Sequence, residues 1–149
     1  MPEQETMERA RKDKREGKSP STQAGEFVRE EMEHIREGKH GARSTKQAIA
    51  IGLSKARRAG VKLPPPKRGK ASPETRRQAA RDYAKGRSAA GKQPSAKRSR
   101  ATLKALQREG HSAASHSALA RQARASAGRR SAAQRSASAK KAAHTRAMS

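Results

Sequence analysis

Apolar side chains recur with helical spacing between residues 20 and 37. They stand three or four positions apart, so on a helix they form one stripe. Ser19 supplies a cap before this stripe, Pro20 suits a first helical turn, and Gly38 follows the stripe's end. The pattern predicts an amphipathic helix over residues 20–37. Its apolar stripe consists of Ala24, Phe27, Val28, Met32 and Ile35.

Two further helices are predicted in the same region. A capping box at residues 44–47 and Gly60 delimit a helix over 45–59, with mostly small side chains on one face. Because the loop 38–43 is short and contains glycine, this helix and the preceding one are predicted to form a helix-loop-helix unit, either a helical hairpin or a helix-turn-helix. Residues 3–16 predict a charged helix that depends on helix propensity and ion pairs.

Residues beyond 63 carry a different pattern. Three consecutive prolines within residues 64–71 cannot continue a helix, so this segment is predicted to be a stiff, basic linker. Residues 87–149 contain 19 Ala, 11 Ser and 15 Lys or Arg, with one acid. Serine-started, glycine-ended helix signals span residues 73–85, 100–109 and 113–127. Such a composition buries little apolar area, so residues 72–149 are expected to be disordered, or helical only when bound.

The supply of large apolar side chains supports the same division. The chain of 149 residues has 16 of them, and nine lie between residues 27 and 63. The predicted fold is therefore mainly α-helical with extensive disorder: a helical head over residues 1–63, a linker over 64–71, and a low-complexity tail over 72–149. No apolar run is long enough for a membrane span, and the N-terminal sequence does not have the form of a signal peptide.

Charge separates along the chain in the same way. Residues 1–37 hold 10 acidic and 8 basic side chains, a net charge of −2, whereas residues 38–149 hold 3 and 29, a net charge of +26. Dispersed cations with small residues between them suit binding to a phosphate backbone, so nucleic acid is the expected partner. A membrane is not expected, because no basic amphipathic helix has large apolar residues on its other face.

Duplex DNA is favoured over RNA as that partner. Readers of single strands stack bases on aromatic rings, and this chain has only Phe27, an expected core residue, and Tyr83, for which packing is favoured over a base contact. Two other hypotheses remain open. In the first, the chain is an RNA- or ribosome-associated protein that uses the same tail. In the second, it is an adaptor whose head docks a partner protein or a second copy.

The candidate nucleic-acid contacts follow from this charge. They lie in the linker and tail, with a smaller contribution from the head. The linker and tail candidates are Lys67, Arg68, Lys70, Arg76, Arg77, Arg81, Lys97, Arg98, Arg100, Arg121, Arg124, Arg129, Arg130, Arg135, Lys140 and Lys141. The head candidates are Lys46, Lys55, Arg57 and Arg58.

Catalytic and metal-binding patterns are sparse. Glu31 and His34 have the Glu-x-x-His spacing of di-iron bundles, but that chemistry needs a second copy and two more glutamates. No two histidines stand three or four residues apart, and the chain has no cysteine, so zinc is not expected. Phosphate-binding glycine motifs are also missing. We expect no enzymatic activity, no metal and no cofactor.

Residues 36–60 resemble the shared segment of a family of small basic bacterial proteins of unknown function. The match centres on KQAIAIGLS at residues 46–54 and continues as KARRAG. Some members of that family are labelled DNA-binding or plasmid stabilisation proteins, so the resemblance permits a DNA-binding role. The tail is similar in composition to linker-histone tails. Together with the charge, these likenesses favour a nucleoid-associated protein of the bacterial cytoplasm.

Overall fold

The computed structural model describes residues 2–87 and 96–148, and these residues are mostly helical. The elements are α1 (Gln4–Arg15), α2 (Pro20–Arg36), α3 (Thr45–Arg58), α4 (Pro73–Arg87), α5 (Ala96–Gln107), a single 3-10 turn η1 (Ser112–Ala114), α6 (His116–Gly128) and α7 (Ala132–Ala147). None of the helices in the described ranges combines the length and apolar character needed to cross a bilayer.

Local sequence explains where the first helices begin and end. The Ser19 hydroxyl accepts from the Thr22 amide at 3.4 Å at the start of α2, and Pro20 occupies its first turn. Ser44 caps α3 in the same way, accepting from the Gln47 amide at 3.1 Å. Gly38 reverses the chain after α2 at a φ of +77°, which costs a glycine little. These bounds lie close to the predicted helices 3–16, 20–37 and 45–59.

Helices α2 and α3 pack with their backbones close together. A Cβ atom added to Gly52 of α3 would lie 2.6 Å from the Val28 Cα of α2, a distance that real Cβ atoms do not reach. Gly52 itself is buried. The small face predicted for α3 is therefore the face that meets α2.

Two apolar clusters fill the space around this contact. One joins α1, α2 and α3, and the other joins α2, α3 and η1. The first contains Ala10, Ala24, Phe27, Ala56 and Val61, with Met7, Leu53, Ala59 and Leu63 beside them. The second contains Met32, Ile35, Ala42, Ala48, Ala113 and Ala114, with Val28, Ile49 and Leu119 beside them.

Helix α4 packs on the other side of α3 through a buried carboxylate. Asp82 is 1% exposed and accepts hydrogen bonds from the Ser54 hydroxyl at 2.7 Å and the Gln78 amide at 3.1 Å. The Arg58 guanidinium lies 3.3 Å from the same carboxylate. Since Ser54 and Arg58 belong to α3, Asp82 fixes α4 against that helix.

The segment around η1 docks on the α2–α3 hairpin by backbone hydrogen bonds. The Gly41 amide donates to the Leu106 carbonyl at 2.8 Å, and the Ala42 amide donates to the Gly110 carbonyl at 3.0 Å. The Thr45 hydroxyl donates to the Ala113 carbonyl at 2.7 Å. Ala113 and its neighbour Ala114 are both buried in the second cluster. Residues far apart in sequence are thus joined without large side chains.

The prediction of extensive disorder and a low-complexity tail is wrong. The described part of residues 72–149 is helical as α4, α5, α6 and α7, and the 3-10 turn packs into the core. Residues 88–95 and 149 of the expected tail lie outside the described residues. The prediction failed because it counted large apolar side chains, whereas α4 docks through the Asp82 carboxylate and η1 docks through alanines and backbone hydrogen bonds.

The proline segment also contacts the helices on either side. The Arg57 guanidinium donates to the carbonyls of Leu63 at 3.1 Å and Pro64 at 3.3 Å. Arg76 of α4 donates to the Pro66 carbonyl at 3.2 Å. Arginines of α3 and α4 thus bind carbonyls that proline leaves without a helical partner.

We expect Gly52→Ala to lower the free energy of unfolding by at least about 1 kcal/mol, because the added methyl group forces α2 and α3 apart. The matched control is Gly25→Ala in α2, where no heavy atom lies within 4 Å of the added Cβ. That variant should gain about 0.5–1 kcal/mol from helix propensity. Urea denaturation followed by circular dichroism measures both, and a stabilised Gly52→Ala variant would contradict the close packing.

A second prediction concerns Asp82. Asp82→Asn should lower the free energy of unfolding by about 2–3 kcal/mol, because it removes the charge of a buried carboxylate that accepts from Ser54 and pairs with Arg58. Glu74→Gln removes the same charge at an exposed position in the first turn of α4 and should cost about 0.3–1 kcal/mol. Thermal and urea denaturation compare them, and equal losses would show that Asp82 does not anchor α4.

Candidate nucleic-acid interface

The acidic side chains of α1 and α2 contact cations within the first three helices. Arg9 of α1 lies 3.2 Å from Glu26 of α2, and Lys18 lies 3.4 Å from Asp13. Lys55 of α3 contacts Glu31, which is 1% exposed. The carboxylates of this region therefore serve largely to hold its helices together.

Beyond Arg58 the situation reverses. Leaving Arg98 aside, no lysine or arginine after Arg58 in the described residues has a carboxylate oxygen within 4.0 Å of its charged nitrogens. The acids of that region are Glu74, Asp82 and Glu109, and Asp82 is buried against α3. The surface of α4–α7 thus presents cations with almost no competing anions.

The tail candidates lie on this surface, the linker candidates lie just before α4, and nearly all of them are exposed. Arg76 differs, because it is half-buried and donates to the Pro66 carbonyl. Arg130 and Arg135 bind backbone carbonyls at the corner between α6 and α7. The exposed candidates are Lys67, Arg68, Lys70, Arg77, Arg81, Lys97, Arg98, Arg100, Arg121, Arg124, Arg129, Arg130, Arg135, Lys140 and Lys141.

Of the head candidates, only Lys46 is exposed and makes no side-chain hydrogen bond or ion pair within the described residues. Lys55 contacts Glu31, and Arg58 binds Asp82 and Ser54. Arg57 is 7% exposed, and burial lowers the pKa of its guanidinium from the usual value. Most of the basic residues that end α3 therefore maintain the fold.

Lys46 belongs to a groove of about 390 Å³ between the start of α3 and α6. Three cations line it, Arg43, Lys46 and Arg121, together with the hydroxyls of Ser44 and Ser112. No carboxylate is among its lining residues. Arg43 was not among the candidates predicted from the sequence. Its position just before the cap of α3 was the available signal, because the N-terminus of a helix attracts anions.

A larger groove, of about 630 Å³, lies between α3 and α4. It mixes charges, because Arg77 and Arg81 line it together with Glu74 and Asp82. The cations of the smaller groove favour binding of a polyanion, whereas the carboxylates of the larger groove oppose it in part.

Neither aromatic ring of the chain offers an open stacking surface. Phe27 is fully buried in the core. Tyr83 is half-buried, and the Arg87 guanidinium lies 5.4 Å from the centroid of its ring. The candidate surface is therefore suited to phosphate contacts and not to base stacking.

Two groups in the described residues, which share His34, have the donor atoms to hold a metal. Glu31, His34 and His40 each place a ligand atom within 4.8 Å of the others, and Glu3, Glu30 and His34 form a neighbouring group. No metal site was predicted from the sequence, because no two histidines stand three or four residues apart and the chain has no cysteine. The Glu31–His34 spacing was the available signal, and the α2–α3 loop supplies the second histidine.

Comparison with known proteins is informative for one part of the chain. Residues 4–68 match a protein family that is described only as a family of unknown function, DUF6496. No curated protein and no solved structure matches the chain. The matched residues span α1–α3 and the first prolines, which include the core hairpin and exclude most of the cationic surface.

Proposed function

We propose that this chain is a non-enzymatic protein that binds duplex DNA by neutralising phosphates, largely without sequence preference. The observation that carries the proposal is the acid-poor cationic surface of α4–α7, where the described cations after Arg58, with Arg98 left aside, lack carboxylate partners. The expected setting is the bacterial nucleoid, as a histone-like or accessory protein.

The absence of internal partners matters for binding energy. A lysine or arginine that already contacts a carboxylate must give up that contact before it binds phosphate, and DNA must then approach the carboxylate. A cation without such a partner releases counterions from DNA at no such cost. Because the acids lie mostly in α1–α3, a polyanion is favoured at the cationic residues that follow Arg58.

The groove between α3 and α6 is the best-defined place for a phosphate. Arg43 and Arg121 have planar guanidinium groups that can donate two hydrogen bonds to one phosphate, and Lys46 adds a point charge. The hydroxyls of Ser44 and Ser112 supply neutral donors beside them. Contacts of this type position a backbone and carry no base information, which supports binding without sequence preference.

Duplex DNA is preferred over single strands because no aromatic ring is open for stacking. Duplex RNA remains the alternative and is an arm of the test below. The adaptor hypothesis relied on the apolar stripe of α2 and the small face of α3 as docking surfaces. Phe27 and Ile35 of that stripe are 0% exposed, so a partner would have to separate the packed helices to reach them.

The salt dependence of binding tests the phosphate mechanism. With about 6–10 phosphate contacts, log affinity for duplex DNA should fall against log salt with a slope of about −5 to −9. Fluorescence anisotropy with the full chain and 20-base-pair duplexes of two unrelated sequences measures this. A slope shallower than about −2, or a strong preference for one sequence at fixed salt, would contradict nonspecific phosphate binding.

A pair of charge reversals tests the location. Lys46→Glu with Arg121→Glu alters the groove, and Arg11→Glu with Lys14→Glu alters exposed cations of α1 by the same net charge. The groove variant should lose at least about tenfold in affinity and about 2 in salt slope, whereas the α1 variant loses less than about threefold. Equal losses would show that only net charge matters. If the unaltered chain binds duplex RNA of the same sequence more tightly than duplex DNA, RNA is favoured as the partner.

A further inference from the structure

Two histidines and a glutamate meet where α2 ends and the α2–α3 loop begins. Glu31 and His34 are three residues apart on α2 and share a face, and the reversal at Gly38 brings His40 back toward them. The rings of His34 and His40 meet edge to face, with centroids 5.9 Å apart. One ligand atom from each of the three residues lies within 4.8 Å of the others.

The hydrogen bonds of His40 define which ring nitrogen faces the cluster. Its Nδ1 lies 2.9 Å from the Gly41 carbonyl oxygen, and because a carbonyl only accepts, Nδ1 carries a proton. Its Nε2 lies 3.1 Å from Oε2 of Glu31, a buried oxygen with no hydrogen-bond partner among the described residues. Nε2 is therefore the ring nitrogen that lies beside this unpartnered carboxylate oxygen.

The surrounding charges favour the binding of a divalent cation. Carboxylates and ammonium groups contact one another and the two histidines here, and the carboxylates outnumber the ammonium groups by two. The carboxylates are Glu3, Glu30, Glu31 and Glu37, and the ammonium groups are Lys39 and Lys55. A divalent cation bound here offsets both excess negative charges.

We propose that Glu31, His34 and His40 bind one divalent transition-metal ion, for which zinc fits the donor set. Two imidazole nitrogens and one carboxylate oxygen form a set that zinc accepts, with the fourth position left to water. The bond from His40 Nδ1 to the Gly41 carbonyl is the kind of outer contact that orients a metal-bound histidine.

The position of the site indicates a structural role. Glu31 is 1% and His40 6% exposed, so a substrate has little access to the ion. The residues that follow His40 are Gly41 and Ala42, whose amides bind the carbonyls of Leu106 and Gly110. The ion would therefore fix the loop that docks the segment between α5 and η1. This role is independent of the proposed DNA binding.

Zinc titration of the untagged full-length chain tests the proposal. Calorimetry should give one zinc ion per chain at micromolar affinity or tighter, and His34→Ala and His40→Ala should each weaken binding at least tenfold. His116→Ala is the matched control, because His116 is exposed and outside the cluster, and it should bind zinc as the unaltered chain does. Glu31→Gln preserves side-chain shape and should also weaken binding at least tenfold.

Nuclear magnetic resonance of the unaltered chain makes the test independent of folding defects. Adding zinc should shift the ring signals of His34 and His40 while those of His111, His116 and His144 stay in place. The proposal is overturned if zinc binds the unaltered chain no more tightly than it binds the His34→Ala variant. It is also overturned if the ring signals of the exposed histidines shift instead. It is equally overturned if His40 keeps protons on both nitrogens with zinc in excess, because the cluster is then an ion pair.

Discussion

The contact between α2 and α3 at Gly52 is the interaction on which the packing of α1, α4 and η1 depends. Helix α1 packs on α2, α4 packs on α3, and η1 packs on both. A Cβ at Gly52 would overlap the α2 backbone at Val28, so the spacing of the two helices requires that residue to be glycine. Both apolar clusters, which lie against these two helices, are set by the same spacing.

Sequence reasoning was most useful where the information is local. The serines before α2 and α3 cap those helices, and the small face of α3 lies against α2. It failed for residues 72–149, because the contacts there join atoms remote in sequence. The Gly41 amide and the Leu106 carbonyl are 65 positions apart, and no composition or periodicity reports such a hydrogen bond. Alanines 113 and 114 complete the core although neither is a large apolar residue.

The candidate site divides in the same way. Charge separation along the chain is readable from the sequence, but the pairing of each charge is not. Arg57 and Arg58 appear as free cations in the sequence, whereas the structure buries one and pairs the other with Asp82. Arg43 and His40 gain their roles only because the hairpin loop brings them beside α6 and α2. Local sequence thus predicts how charge is distributed along the chain better than which cations the fold leaves exposed and unpaired.

We propose that the charged residues have two separate roles. The acids stabilise α1–α3, and the cations on α4–α7 remain open to phosphate. Mapping of amide and arginine side-chain signals during titration of the full chain with duplex DNA is the most direct test of this proposal. The account predicts that signals from Arg43, Lys46, Arg121 and the exposed faces of α4–α7 shift while those of α1 stay in place. Shifts confined to α1 and α2, or none at low salt, would contradict it.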